Sequence, residues 1–238
     1  MAGALLEVDG LTKRFGGFMA LNRVTIAVKP GERFGLIGPN GSGKTTLINC
    51  VSGSLPADGG RIVFEGHDIT SMPAHRRTRL GIVRSFQIPK PFRSMTVLEN
   101  LGIPLENAAH GRTAEGAGAM EILGTIGLAS KAHLRPAGLT QIEMRKLELA
   151  RAMAARPKLL ISDEAMAGLS SGEVDNILTI LFRLSAQGIT IIMIEHIMRA
   201  VMRFSERVVV LDAGERIAEG TPDEIVRNPA VEKAYLGE

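Results

Sequence analysis

Short apolar runs recur along the chain, and turn residues or stretches with helical spacing separate them. Runs of this length bounded by Gly or Pro are typical of strands, and those without alternation are typical of strands buried on both faces. Predicted turns at Asp9-Gly10 and Pro30-Gly31 punctuate the first part, which we expect to form an antiparallel patch. The predicted strands cover residues 5–8, 13–15, 23–28, 34–37, 61–66, 82–87, 158–162, 189–194, 208–211 and 216–218, the last two as a hairpin around residues 212–215.

Helical spacing fills most of the remaining chain. Residues 92–155 have helical patterns with glycine breaks and no convincing strand, and we expect 111–118 to form a mobile loop. Thr221-Pro222-Asp223-Glu224 is a capping box with proline at its first helical position, which opens the last helix. Other helices are predicted at 46–51, 73–80, 173–187 and 197–204. This order predicts a parallel α/β core, interrupted by a helical lobe, with ligands at the carboxyl ends of the strands.

Composition narrows the class of protein. The chain has 238 residues, of which 45% are hydrophobic, enough for a full core without a low-complexity tract. Its net charge of +3 comes from 28 basic and 25 acidic residues, which gives no reason to expect nucleic acid as a partner. The basic residues within 75–79 are expected to form a solvated helix face.

Cysteine usage and hydropathy indicate where the protein works. The single cysteine, Cys50, excludes an internal disulfide, fits a reducing compartment and is expected to be a small buried thiol. The N-terminus lacks the basic region of a signal peptide, and no apolar run approaches the ~20 residues of a membrane helix. We therefore expect a cytoplasmic protein that reaches a membrane only through a partner.

The loop at residues 38–45 has the clearest chemical motif in the chain. It matches the phosphate-binding pattern Gly-x-x-x-x-Gly-Lys-Ser/Thr, and it lies between a predicted strand and a predicted helix. Backbone N–H groups of such a turn and the helix N-terminus behind it bind a polyphosphate. Lys44 is expected to reach the β- and γ-phosphates, and the Thr45 hydroxyl to ligate Mg²⁺. The residues expected to bind the polyphosphate of a nucleotide are Gly38, Pro39, Asn40, Gly41, Ser42, Gly43, Lys44, Thr45 and Thr46.

A second candidate is the strand 159–162, which ends in Asp163 and Glu164. Beside a phosphate loop, one carboxylate can hold Mg²⁺ through water and the next can polarise an attacking water. The alternative is a strand that simply ends in a solvated turn.

With these motifs the chain resembles the nucleotide-binding subunits of ATP-binding cassette (ABC) transporters over its whole length. Residues 38–45 match the family's Walker A motif and 159–164 its Walker B motif, while 167–170 resemble its D-loop. Gln87 stands at the place of the Q-loop glutamine and His196 at the place of the switch histidine. Phe15 stands where an aromatic residue stacks on adenine.

The resemblance implies a fold and a set of roles. The fold is a P-loop NTPase (RecA-like) core with an antiparallel β patch and an inserted helical lobe. It forms one domain, with the core at 1–88 and 156–238 and the lobe at 89–155. ATP and Mg²⁺ are the implied cofactors, with Thr45, Gln87 and Asp163 as metal ligands. Glu164, His196 and Gln87 are the implied catalytic residues.

Some of these residues have structural alternatives. Phe15 could pack on the core as a strand aromatic, Gln87 could be a polar strand end, and His196 could be structural. Ser170 and Glu173 also fit a capping box that starts a helix.

The family's signature motif is altered. Its usual Leu-Ser-Gly-Gly-Gln corresponds to residues 139–143, Leu-Thr-Gln-Ile-Glu. Thr140 and Glu143 form a capping box, so Thr140 could serve only to start a helix. In the family this helix end points at the γ-phosphate held by a second subunit. Thr140 keeps the hydroxyl, whereas Ile142 and Glu143 bring bulk and negative charge.

The terminal segments resemble a subfamily. Residues 11–17, 220–224 and 234–238 are similar to those of the ATPase subunits of branched-chain amino-acid importers. The implied partners are a second ABC ATPase subunit, identical or different, integral membrane permease subunits and, indirectly, a periplasmic solute receptor. A non-transport ABC ATPase, a lipid exporter subunit and a regulatory nucleotide-binding module are the alternatives.

Overall fold

The computed structural model describes residues 3–85, 90–108 and 116–236. Within these ranges the strands are β1 (Leu6–Phe15), β2 (Phe18–Val28), β3 (Arg33–Ile37), β4 (Gly59–Phe64), β5 (His67–Asp68), β6 (Ile82–Ser85), β7 (Leu159–Asp163), β8 (Thr190–Ile194), β9 (Arg207–Asp212) and β10 (Glu215–Gly220). The helices are α1 (Lys44–Ser52), α2 (Ala74–Leu80), α3 (Glu99–Ala108), α4 (Gly116–Ile126), α5 (Gln141–Ala154), α6 (Ser171–Ala186), α7 (Met198–Phe204), α8 (Pro222–Val226) and α9 (Pro229–Leu236).

A six-stranded sheet forms the core, in the order β10-β9-β3-β8-β7-β6. Its strands are parallel except β10, which forms an antiparallel hairpin with β9 as the sequence predicts. Every residue of β7 and β8 is buried, as expected for strands covered on both faces. The predicted α/β core is therefore confirmed.

The smaller sheet is antiparallel, in the order β2-β1-β4-β5. The predicted turn at Asp9-Gly10 is wrong, because β1 runs through both residues as one long strand. Gly10 has a φ of 56°, and the pairing with β2 shifts register between Val8 and Leu11. The shift inserts one extra residue into β1, which is a β-bulge. The Gly10 N–H donates to Thr25 Oγ1 across 2.9 Å.

The segment between β6 and β7 is helical. Its described residues form α3, α4, α5 and two short 3₁₀ turns, and none of them is in a strand. Helix α5 packs against both α3 and α4. The predicted loop at 111–118 is wrong for residues 116–118, which begin α4, and residues 111–115 lie outside the described ranges.

Arg77 corrects the expectation of a solvated basic face on α2. It is 2% exposed, and its guanidinium donates to the carbonyls of Cys50 and Val51 across 2.6 and 2.8 Å. Further bonds reach the carbonyls of Thr70 and Met72. The last carbonyls of a helix lack partners within it, so Arg77 caps α1 from a distance. Cys50 is buried as expected.

The fold brings three strand ends together. β8 pairs with β3 on one side and β7 on the other, and all three are parallel. Their carboxyl ends therefore lie at one edge of the sheet, where α/β proteins bind ligands.

Candidate functional site

The phosphate loop connects β3 to α1 and depends on glycine. Gly38 has a φ of 149° and Gly43 a φ of 102°. A Cβ on Gly38 would lie 2.0 Å from the carbonyl oxygen of Leu211, and one on Gly43 would lie 2.7 Å from that of Ala20. Larger residues would therefore deform the loop at both positions. Helix α1 begins at Lys44 with no acidic residue in its first turn, which leaves its N-terminus suited to an anion.

Lys44 lies folded onto this loop. Its Nζ donates to the carbonyls of Gly38 and Pro39 across 2.7 and 2.9 Å and to Ser42 Oγ across 3.3 Å. Burial lowers the pKa of Lys44, while the nearby Glu164 and Asp163 raise it. Thr45, next along α1, is exposed, as are Asn40 and Gly41 in the loop, whereas Thr46 is half-buried.

Asp163, at the end of β7, is 5% exposed and paired with an arginine that sequence reasoning missed. Arg84 on β6 donates to Asp163 Oδ2 from Nε across 3.1 Å and also from Nη2. Its Nη1 donates to Asn49 Oδ1 on α1 across 2.6 Å. The signal was a lone charge in the apolar strand 82–85. Arg84 therefore links α1, β6 and β7 beneath the loop.

Glu164 and His196 meet at the ends of β7 and β8. His196 Nε2 lies 3.0 Å from Glu164 Oε1. The N–H of Glu164 donates to the carbonyl of Ile194 across 2.9 Å, and Glu164 has a φ of 48°, in the left-handed region. A non-glycine residue held in this region is a local strain of the kind concentrated at functional sites. The side chain of Glu164 is 20% exposed, so water can reach it.

Glu195, between β8 and His196, is a second residue that the sequence did not reveal. It is 2% exposed and accepts a hydrogen bond from the N–H of Met166 across 2.8 Å. Burial raises the pKa of Glu195 to about 7, against the effect of the Met166 N–H, and the charge of Glu164 adds to the rise. No motif singles out this residue, because only its depth and its contact with the loop after β7 set it apart.

Three residues implied by the resemblance lie apart from this cluster or beyond the described ranges. Phe15 is 50% exposed at the end of β1, with Lys13 Nζ 5.7 Å from its ring centroid. Thr140 caps α5, in the predicted box with Glu143, and its side chain is exposed. Gln87 lies outside the described residues.

The C-terminal helix α9 returns to the phosphate loop. Burial raises the pKa of Tyr235, and the backbone N–H of Gly38 lowers it through a hydrogen bond. Tyr235, near the end of α9, therefore lies close to the first glycine of the loop.

Two family models match this chain. Residues 21–167 match the model described as "ABC transporter". This match covers more than half of the chain and includes the phosphate loop, Asp163 and Glu164. The chain is an ATP-binding cassette of the ABC transporter family. Residues 215–238 match a second model, described as "Branched-chain amino acid ATP-binding cassette transporter". The family resemblance and the predicted ATPase class are thereby confirmed.

Known ATP-binding cassettes are similar over the full length. The chain is 39% identical to the high-affinity branched-chain amino acid transport ATP-binding protein BraF of Pseudomonas aeruginosa, with all of both chains covered. It is 38% identical to LivG of Escherichia coli, a protein with the same description, again over all of both chains.

Solved cassette structures show the same fold. A nucleotide-free ATP-binding cassette from an ABC transporter has a TM-score of 0.89 at 35% identity, over 99% of this chain and 100% of that one. The ADP conformation of an ABC transporter cassette gives 0.88 at 33% identity, over 99% of both chains. A dimeric cassette in a post-hydrolysis state, bound to ADP and Pi, gives 0.82 at 25% identity, over 91% of this chain and 98% of that one.

The chain is thus an ATPase subunit of a transporter, which implies permease partners in a membrane. Among residues 3–85, 90–108 and 116–236 no helix has the length and apolar character to cross a bilayer.

Proposed function

We propose that this cassette hydrolyses ATP to drive an importer of branched-chain amino acids. The observation that carries the hydrolytic part is the pairing of Glu164 with His196 at 3.0 Å, beside the Lys44 loop. The C-terminal model match and the full-length relatives, which are named for branched-chain amino-acid transport, support the solute class.

The phosphate loop holds the nucleotide in this proposal. Loop N–H groups and Lys44 bind the β- and γ-phosphates, Thr46 contacts the phosphates from the start of α1, and Phe15 stacks on the adenine.

The residues present fit a magnesium ion. The two hydrogen bonds that Arg84 donates to Asp163 both end on Oδ2, so Oδ1 would be the atom that accepts from a metal-bound water. Thr45, an exposed residue at the start of α1, would supply its hydroxyl, and Gln87 would complete the proposed set. These are the oxygen ligands that Mg²⁺ prefers. When bound, the ion neutralises charge on the phosphates.

Glu164 acts as the base in this mechanism. Its carboxylate orients the attacking water and accepts its proton, and His196 steadies the γ-phosphate while holding Glu164 in place. The backbone hydrogen bond from the Glu164 N–H to the Ile194 carbonyl holds the two strand ends beside each other.

The site is completed by a second cassette, identical or different. Thr140 of that subunit caps α5 toward the γ-phosphate, where the helix dipole favours an anion. Dimer closure moves the permease through contacts near Gln87 and the helical lobe at 89–155, on the cytoplasmic face of the membrane. The core at 1–88 and 156–238 and the lobe form one domain.

The test is reconstitution of the chain with its permease and solute receptor in sealed vesicles. We expect ATP-dependent uptake of radiolabelled leucine, isoleucine or valine, and no uptake with a Glu164→Gln chain. Hydrolysis without uptake of these solutes, with lipid export from the same vesicles, would replace the solute assignment. Absence of hydrolysis in the assembled transporter would favour a regulatory module.

A further inference from the structure

The loop after Glu164 is fastened to the end of β8 by a buried side chain. The N–H of Met166 donates to Glu195 Oε1 across 2.8 Å, and the N–H of Glu164 donates to the carbonyl of Ile194 across 2.9 Å. The backbone on which Glu164 sits is therefore fixed at two points to adjacent residues of the neighbouring strand end. The Glu164–His196 contact adds a third point.

Helix α5 holds the next residue of the same loop. Arg145 Nη2 donates to the carbonyl of Ala167 across 3.2 Å. Among the described residues, its Nη1 is buried without a hydrogen-bond partner. The loop is thus held by two side chains, Glu195 just after β8 and Arg145 on α5.

The grip from Glu195 bears directly on Glu164. Met166 is two residues beyond Glu164, so loss of its bond frees the backbone that sets the direction of the Glu164 carboxylate. A buried N–H left without an acceptor is costly, and the loop would shift to satisfy it. Misplacement of a reacting group by about 1 Å can cost roughly 100-fold in rate.

We propose that Glu195 is a positioning residue for ATP hydrolysis. Through the Met166 N–H it fixes the backbone beside Glu164, so that the Glu164 carboxylate stays within reach of His196 and of the attacking water. The inference rests on the proposed role of Glu164 as the base. Glu195 itself touches neither the nucleotide nor the water.

Steady-state ATPase kinetics of the full chain in its transporter test the proposal. Glu195→Ala should lower kcat by about 10-fold or more and leave the KM for ATP within about 2-fold, because the phosphate loop is untouched. Asp223→Ala, which removes an exposed carboxylate on α8 outside the helical lobe, is the matched control and should behave as wild type. Wild-type kcat in Glu195→Ala, or a rise in KM alone, would overturn the proposal.

Two conservative variants separate reach from charge and remain informative where Glu195→Ala folds poorly. Glu195→Gln keeps an oxygen acceptor at the same distance and should restore most of kcat. Glu195→Asp keeps the charge but is one methylene shorter, and it should remain impaired. The reverse order would show that charge matters in place of the Met166 bond, and the proposal would fail.

A Glu164→Gln chain separates this inference from the mechanism on which it rests. If Glu164→Gln is slow and Glu195→Ala is as fast as wild type, only the positioning role of Glu195 is lost. If Glu164→Gln turns over normally, the role of Glu164 as the base fails and the positioning role fails with it.

Discussion

His196 and Glu164 are 32 positions apart in sequence, yet Nε2 of one lies 3.0 Å from Oε1 of the other. The parallel pairing of β7 with β8, in which Asp163 faces Ile194, accounts for this contact. Glu164 is the first residue after Asp163 and His196 the second after Ile194, so both side chains lie at the same edge of the sheet.

Replacement of Glu164 by glutamine should separate binding from hydrolysis. The amide keeps the shape and the contact with His196 but cannot accept a proton at neutral pH, so kcat should fall by roughly 100-fold or more. ATP affinity, measured by equilibrium binding, should change little. Turnover similar to wild type would remove Glu164 from the role of base.

Lys44→Ala should weaken ATP binding. The change removes charge-assisted hydrogen bonds to phosphate, and about 1.5–3 kcal/mol corresponds to a Kd raised roughly 10- to 100-fold. Isothermal titration calorimetry measures this effect directly. Lys29→Ala, at an exposed position outside the loop, is the matched control, and an equal loss in both variants would argue against a phosphate contact.

Arg84→Ala should destabilise the fold. The side chains of Arg84 and Asp163 are only 13% and 8% exposed, so loss of Arg84 leaves a buried carboxylate without its cation. Breaking such a pair costs about 3–5 kcal/mol, measured as the free energy of unfolding in urea. Arg61→Ala breaks an ion pair with Asp68 in which the side chains are 60% and 47% exposed, and its effect should be far smaller. Equal effects would contradict the special role of the Arg84 pair.

Glu195→Gln should change how stability depends on pH. The pKa of Glu195 rises from 4.5 to about 7 in the folded protein, so folding holds its proton over a range in which the unfolded chain has released it. The contribution of Glu195 to the free energy of unfolding is therefore fully present below pH 4.5. It falls as the pH rises toward 7 and stays reduced above pH 7.

The Glu195→Gln variant has no carboxyl group at this position, so its free energy of unfolding does not fall in this way as the pH rises. Its unfolding free energy relative to wild type should increase between pH 5 and pH 8 by up to about 3 kcal/mol. Parallel curves for the two proteins across this range would show that Glu195 does not titrate in this way.

The sequence predicted those parts of the site that lie within one local pattern. The spacing of glycines before Lys44 and the acids that end an apolar strand identify local geometry, and strand order places them together. Arg77, Arg84 and Glu195 were not predicted because their roles depend on partners far along the chain. A charged residue next to an apolar run gives no local sign of whether it is buried beside a partner in the core.

The full length of β1 was not predicted from the sequence, for a different reason. An Asp-Gly pair is compatible with a turn and with a bulge, and only the neighbouring strands decide between them. Gly60 approaches Gly10 so closely that a Cβ there would lie 2.5 Å from the Gly10 carbonyl oxygen. This contact between two backbones cannot be read from either segment alone.

The posture of Lys44 has a consequence for how fast nucleotide can bind. Its ammonium already donates hydrogen bonds to three oxygens of its own loop in place of water. An arriving phosphate therefore replaces protein oxygens as partners of an ammonium that is already desolvated. Little ordering is left for the moment of capture. Association should then be limited by diffusion into the cleft, and selectivity among nucleotides should appear in how slowly each one leaves.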